Sequence, residues 1–154
     1  MKKPKLAVTD NDNKVTELVG KTDHKTLAVW ACDCAERVLP YFENKYPQDN
    51  RPRLAIGAGR TWVKTGLFNM ADMRKIALAA HAAARDVKDD NPARSAARAA
   101  GHALATAHVP THAVAAATYA ATAVRDAVKP ALAEIAIDKE REWQLHHLHN
   151  LSES

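Results

Sequence analysis

Nine polar side chains stand at spacings that could do chemistry: Asp33, Arg37, His81, Arg85, Arg94, Arg98, His102, His108 and His112. Asp33 and Arg37 are four residues apart, as are His81 and Arg85, while Arg94, Arg98 and His102 form a row at i, i+4, i+8. On a helix each of these sets shares one face. All are embedded in alanine-rich sequence, where a charge taken from water is costly unless it is paired. Two arrangements satisfy that constraint. One is a half-buried network in which Asp33, helped by Glu36, neutralises an arginine and the histidines bond backbone carbonyls. The other is a pocket that reads an acidic partner or ligand. Metal coordination is a third chemistry: His102, His108 and His112 surround a proline-containing helix start, and Asp33 would complete a four-ligand set of the kind zinc takes. No His-Glu-x-x-His motif or paired-cysteine motif supports it. The expectation is therefore no metal, no other cofactor and no catalytic residue. A metal- or ligand-dependent enzyme built on His102, His108, His112 and Asp33 is the alternative.

Other chemistry is weaker still. Cys32 and Cys34 lie two apart in a helical pattern, so their side chains diverge by about 200° and cannot pair with each other. They fall inside a helix, away from an N-terminus that would stabilise a thiolate, and inert packing is expected. Ile56-Gly-Ala-Gly-Arg-Thr has the glycines of a phosphate loop but no preceding strand and no Gly-Lys-Ser/Thr ending, which excludes a P-loop ATPase. Arg60, Lys64, Arg74, Lys75, Arg94 and Arg98 could in principle face DNA. They point several ways around their helices and no recognition helix stands out, so nucleic acid is not an expected partner. His146, His147 and His149 read as solvated cations at the negative end of a helix dipole.

The elements that must position these residues are helices. Thirty-two of the 154 residues are alanine, about a fifth of the chain, glycine is scarce and aromatics are 5%. That composition favours helix over strand. From Asp23, the apolar residues Leu27, Ala31, Cys34, Val38 and Tyr41 recur at spacings of three and four, with Pro40 expected to kink or end the helix near Phe42. Asp49-Asn50-Arg51-Pro52 reads as a capped start of a second helix, running through Leu54, Ala58 and Trp62 to Lys64 and stopped by Gly66. A third covers about Met70–Val87, with Met73, Ile76, Ala77, Ala80 and Ala84 inward. Asn91-Pro92 opens a fourth to about Ala107, and Pro110-Thr111 a fifth to about Val128. Lys129-Pro130 leads into a last helix with Leu132, Ile135, Trp143 and Leu148. Residues 1–21 differ: Lys5–Thr9 and Lys14–Val19 flank Asp10-Asn-Asp-Asn, which suggests a short β-hairpin or a frayed arm. The expected fold is an all-α antiparallel bundle of five to six helices over residues 22–150, with Trp30, Trp62 and Trp143 as large plugs in an alanine-lined centre.

Charge and composition then bound the function. The net charge is +4, distributed as +6 over residues 50–109, −2 over 110–154 and zero over 1–49. A basic middle and an acidic end could meet a partner or a second copy, so self-association is also considered. No transmembrane segment is expected, because histidines, Pro110 and Arg125 interrupt the longest alanine-rich run. No signal peptide is visible at the start, and free thiols suit a reducing cytoplasm.

Four runs are distinctive: Asp23 to Glu43 (DHKTLAVWACDCAERVLPYFE), Tyr46 to Ile56 (YPQDNRPRLAI), Ala100 to Ala113 (AGHALATAHVPTHA) and Glu140 to Leu145 (EREWQL). Together, over roughly residues 22–148, the chain resembles the immunity-protein-5-like family of bacterial polymorphic toxin systems. The resemblance implies a helical, non-enzymatic cytoplasmic protein that neutralises a cognate toxin by direct binding. The positions matching the family motifs are Asp33, Arg37, His102, His108 and His112. A protein of this kind needs a rigid complementary surface with a few anchors and matched charge, not catalytic groups.

Overall fold

A computed structural model of the chain describes residues 11–153, and among them the backbone is helical with no strand. Seven α-helices follow one another: α1 Asn11–Gly20, α2 His24–Glu43, α3 Arg51–Thr65, α4 Met70–Asp86, α5 Asn91–Ala105, α6 His112–Ala127 and α7 Ala133–Ser152, with a single 3₁₀ turn at Pro130–Leu132 before α7. Local chemistry sets most boundaries. The Asp23 carboxylate accepts from the Thr26 amide at 2.7 Å and caps α2. Asn69 and Asp90 do the same for α4 and α5. Gly66 ends α3 in the left-handed conformation at φ 67°, its amide bonding back to the Trp62 carbonyl. Pro40 lies within the last turn of α2, and the helix closes three residues later at Glu43. At the start of α3, however, Asn50 makes no side-chain cap; Asp49 instead accepts from the Arg51 amide and grips its guanidinium.

The N-terminal expectation needs correcting. Lys14–Val19 is not a strand but part of α1, because Val15, Leu18 and Val19 form an i, i+3, i+4 apolar face, with Val15 and Val19 buried against the core. The helix packs on α7. Lys5–Thr9, the other half of the supposed hairpin, lies outside the described residues. The helix count rises from five or six to seven for the same reason.

Helix α5 runs through the middle, packed against α2, α3, α4 and α6. Alanine makes that possible. Ala93, Ala96, Ala97, Ala99, Ala100 and Ala103 are all buried, so neighbouring axes can approach α5 from several sides without a side chain in the way. Of the three tryptophans, only Trp30 is a central plug; it is fully buried and its indole N–H donates to the Gln144 carbonyl at 2.8 Å. Trp62 and Trp143 are half-buried, the first against His24 and the second beneath Arg37. Their size could not decide this; their position on the rim of α3 and α7 did.

Candidate functional site

The alanine surfaces of α4, α5 and α6 bring three histidines together. His81 on α4 meets His102 on α5 edge-on, with ring centroids 4.9 Å apart. His102 stacks on His112 of α6 at 5.2 Å and on Tyr119 at 5.3 Å. Gly101 makes room for the first ring. A Cβ at that position would stand 2.7 Å from His81 Nε2, so any larger residue collides with the imidazole. A helix-interior glycine costs about 1 kcal/mol relative to alanine, and here that cost seats His81 against α5.

The hydrogen bonds fix the roles of the rings. Arg98 Nη1 donates to His81 Nδ1 at 3.3 Å. His102 Nδ1 and His112 Nδ1 are 3.0 Å apart, so one ring carries the proton and the other accepts it. Burial, with the positive charge of Arg98 and Arg85 behind it, pushes His81 down to about 4. Burial and the neighbouring His81, His112 and Arg98 push His102 down to about 4 as well. Both are neutral at physiological pH and act as hydrogen-bonding rings, not cations.

Mild acid should therefore weaken the fold. Both histidines have a folded pKa below the usual 6.5, so between about pH 6.5 and 4 the unfolded chain binds more protons than the folded one. Stability is full above about pH 6.5 and falls as the pH drops through that window. Urea midpoints at pH 7.0, 6.0 and 5.0 should decline in order, and His102→Asn should flatten the decline. Equal midpoints for the native chain would show that the rings protonate in place.

Two rings of the cluster, His81 and His112, line a cavity of about 410 Å³ beside α4, reached by the 66–69 loop and the end of α5. Its apolar lining includes Phe68, Met73, Ala77 and Leu104, and its polar groups are Arg74, His81, His108 and His112. His108 stacks on Phe68 at 5.7 Å. Sequence spacing points to the histidines; nothing in it signals Phe68, which the left-handed Gly66 turn delivers to the rim.

Asp33 and Arg37 belong elsewhere. Asp33 accepts from Arg60 of α3 at 2.9 Å and pairs with His147 of α7 at 2.7 Å, while Arg60 also reaches Glu36 at 3.2 Å. Arg37 does not turn to Asp33. It forms a two-pronged pair with buried Glu140, both contacts 2.9 Å, and lies 3.8 Å over the Trp143 ring. The bond to Glu140 holds the Arg37 guanidinium above its usual range. His147 does not stand in solvent at the helix end as its neighbourhood suggests: it stacks on Trp143 at 4.7 Å and is engaged by Asp33. A shallow groove of about 250 Å³ runs over this set, and the ion pairs tie α2 to α3 and α7.

The four-ligand metal set weighed as the alternative is not assembled. Asp33 faces Arg60 and His147, His102 and His112 spend their Nδ1 atoms on each other, and His108 stacks on Phe68. Among the described residues no group of three or more His, Cys, Asp or Glu side chains is arranged to hold a metal ion. Among the described residues the clustered histidines do not bond carbonyls; His24, outside the cluster, does, its Nε2 2.6 Å from the Thr106 carbonyl at the C-terminal cap of α5. Arg94 serves the fold itself, since its Nη2 donates to the Val87 and Lys88 carbonyls at 2.6 Å each and closes the α4–α5 loop.

Buried polar residues on α7 bind it to its neighbours. Gln144 donates to the Ala117 carbonyl and accepts from Arg141, which also reaches Thr118 and Asp12. These contacts reach α6 and α1. Both cysteines are buried, and desolvation pushes the Cys32 thiol up to about 12 and Cys34 well above its ordinary value, so neither is poised as a nucleophile. Of the two glycines in α3, packing explains Gly59, where a Cβ would stand 2.9 Å from Cys32 Sγ; a Cβ on Gly57 would meet nothing.

The family model described as Imm-5 like putative immunity protein matches residues 17–151. No curated protein and no solved structure matches the chain.

Proposed function

The chain belongs to the Imm-5 like immunity protein family, and from that premise we propose that it neutralises a bacterial toxin by binding it directly, without catalysing a reaction. The family match over nearly the whole chain carries this reading. The physical arrangement agrees with it. The Arg37–Glu140 and Asp33–Arg60 ion pairs tie α2 to α7 and α3, the Gln144–Ala117 and Arg141–Thr118 hydrogen bonds tie α7 to α6, and the cavity side carries exposed apolar residues that a partner would cover. A preformed surface of this kind keeps the ordering cost of association low. Among the described residues no helix is long and apolar enough to cross a membrane.

The test is co-expression with a candidate cognate toxin domain, sought first among the products of the neighbouring genes. The chain should restore growth to cells making the toxin and should co-purify with it as a defined complex. Absence of both protection and binding would overturn the reading.

A further inference from the structure

The arginines divide sharply by place. Arg37, Arg51, Arg53, Arg60, Arg125 and Arg141, all outside α4 and α5, each have a carboxylate within 3.0 Å. The four on α4 and α5, Arg74, Arg85, Arg94 and Arg98, form no ion pair among the described residues. Arg94 is spent on carbonyls and Arg98 on His81. Arg74, Lys75 and Arg85 stand exposed along α4, and among the described residues no acid pairs with them.

The apolar surface is equally uneven. Phe68, Met70 and Leu78 line the cavity and are exposed, and Leu67 and Val109 extend the patch beside it. Leu67 is 77% and Leu78 55% exposed. A cluster of large exposed apolar residues around a concavity marks an interaction site. At about 410 Å³ the cavity falls near the low end of the range of roughly 300–1,000 Å³ for small-ligand pockets, a size suited to a few side chains. Its histidine wall is seated by Gly101, so the hollow is built into the packing of α4 on α5.

Resting on the toxin-binding reading above, we propose that this face takes an acidic segment of the toxin that inserts an apolar anchor side chain into the cavity. Carboxylates flanking the anchor meet Arg74, Lys75 and Arg85, and the anchor itself displaces water from Phe68, Met73 and Leu104. The positive potential comes from guanidinium and ammonium groups, so it persists above neutral pH. The charge also says what the face does not cover. A toxin acting on nucleic acid holds its substrate in a cationic groove, and this cationic face would be repelled there. The contact is with an acidic surface of the toxin, so neutralisation does not work by imitating a polyanion.

Two arms test this. In the first, three helical peptides are titrated calorimetrically against the full chain: one with Leu and Phe on one face and Glu on its flanks, one with Lys in place of each Glu, and one with Ala in place of the Leu and Phe anchors. The acidic, anchored peptide should bind best, and its affinity should fall about tenfold or more with R74E/K75E, with L78D and in high salt. Equal binding of the acidic and basic peptides, no binding of any, or an unchanged Kd in both variants overturns the proposal. In the second arm the toxin domain is co-expressed. R74E/K75E should lose protection while E142K, on the exposed acidic side of α7, keeps it. Protection kept by both leaves toxin binding standing and overturns the assignment to this face. A native chain that gives no protection overturns the toxin reading itself, whatever the peptides show. Light scattering closes the remaining route: if R74E/K75E turns an oligomer into a monomer, a second copy fills the face and the toxin does not.

Discussion

Trp30→Ala should destabilise the fold by about 3–5 kcal/mol, the range for removing a large buried aromatic. The upper part of that range is expected here. Trp30 is fully buried where α2 faces α7, and many of the side chains in its core cluster are alanines. Alanines have no length with which to reach into a cavity, so the void stays open. The indole N–H also ties α2 to the Gln144 carbonyl across 114 positions of sequence. For a chain of this length each kcal/mol lowers Tm by about 2–4 °C, so calorimetry should record a fall of roughly 6–20 °C. Trp30→Phe keeps most of the ring and loses the donor, and should cost clearly less. A Trp30→Ala protein that melts with the native chain would show that the core does not depend on this plug.

Gly101→Ala should also destabilise, by up to about 2 kcal/mol net, which reverses the usual sign. In an ordinary helix interior the change stabilises by about 1 kcal/mol, because alanine has the better propensity and less backbone entropy to lose. Here the new Cβ would stand 2.7 Å from His81 Nε2 and 2.8 Å from Cε1, so the ring must leave. Leaving costs its bond from Arg98 and its edge contact with His102. Overpacking of this kind typically costs about 1–3 kcal/mol, and the propensity gain of about 1 kcal/mol offsets part of it, leaving up to about 2 kcal/mol. A double-mutant cycle gives the physical reason its own test. In an H81A background the obstacle is gone, and Gly101→Ala should revert to stabilising; urea unfolding of the four proteins measures the coupling. A Gly101→Ala change that stabilises the native chain, or destabilises equally in both backgrounds, would show that His81 is not what the glycine accommodates. The same variant should alter the histidine wall of the cavity, so its effect on toxin protection reads the site as well as the fold.

The helices were legible because their signals are local. Asp23 before a three-and-four apolar pattern, Asn91-Pro92, and Gly66 after Lys64 each act within one turn, and each marks an observed boundary within a residue or two. The family was legible for the same kind of reason, in contiguous runs such as residues 100–113. The N-terminal segment was misread because turn-forming Asp10-Asn-Asp-Asn outweighed the short apolar face at Val15, Leu18 and Val19, which declares itself only when α7 covers it.

The polar residues divide in an instructive way. Spacing put Arg98 and His102 on one face of α5, and the fold does bring His81 and His112 to it. Spacing also put Asp33 with Arg37, and the fold keeps them on one groove but gives each its own partner: Asp33 finds His147, 114 residues on, and Arg37 finds Glu140, 103 residues on. By itself, then, the sequence determined that this chain is a bundle of alanine-rich helices, where most of them begin and end, and to which family it belongs. The tertiary structure alone decided which charges are neutralised within the bundle and which, among the described residues, are left without an ion pair on α4. The reason is physical. Helix formation is governed by neighbours three and four residues away, whereas ion pairing depends on how each helix is rotated and placed against another. Alanine, equally small on every face, leaves that rotation unmarked in the sequence.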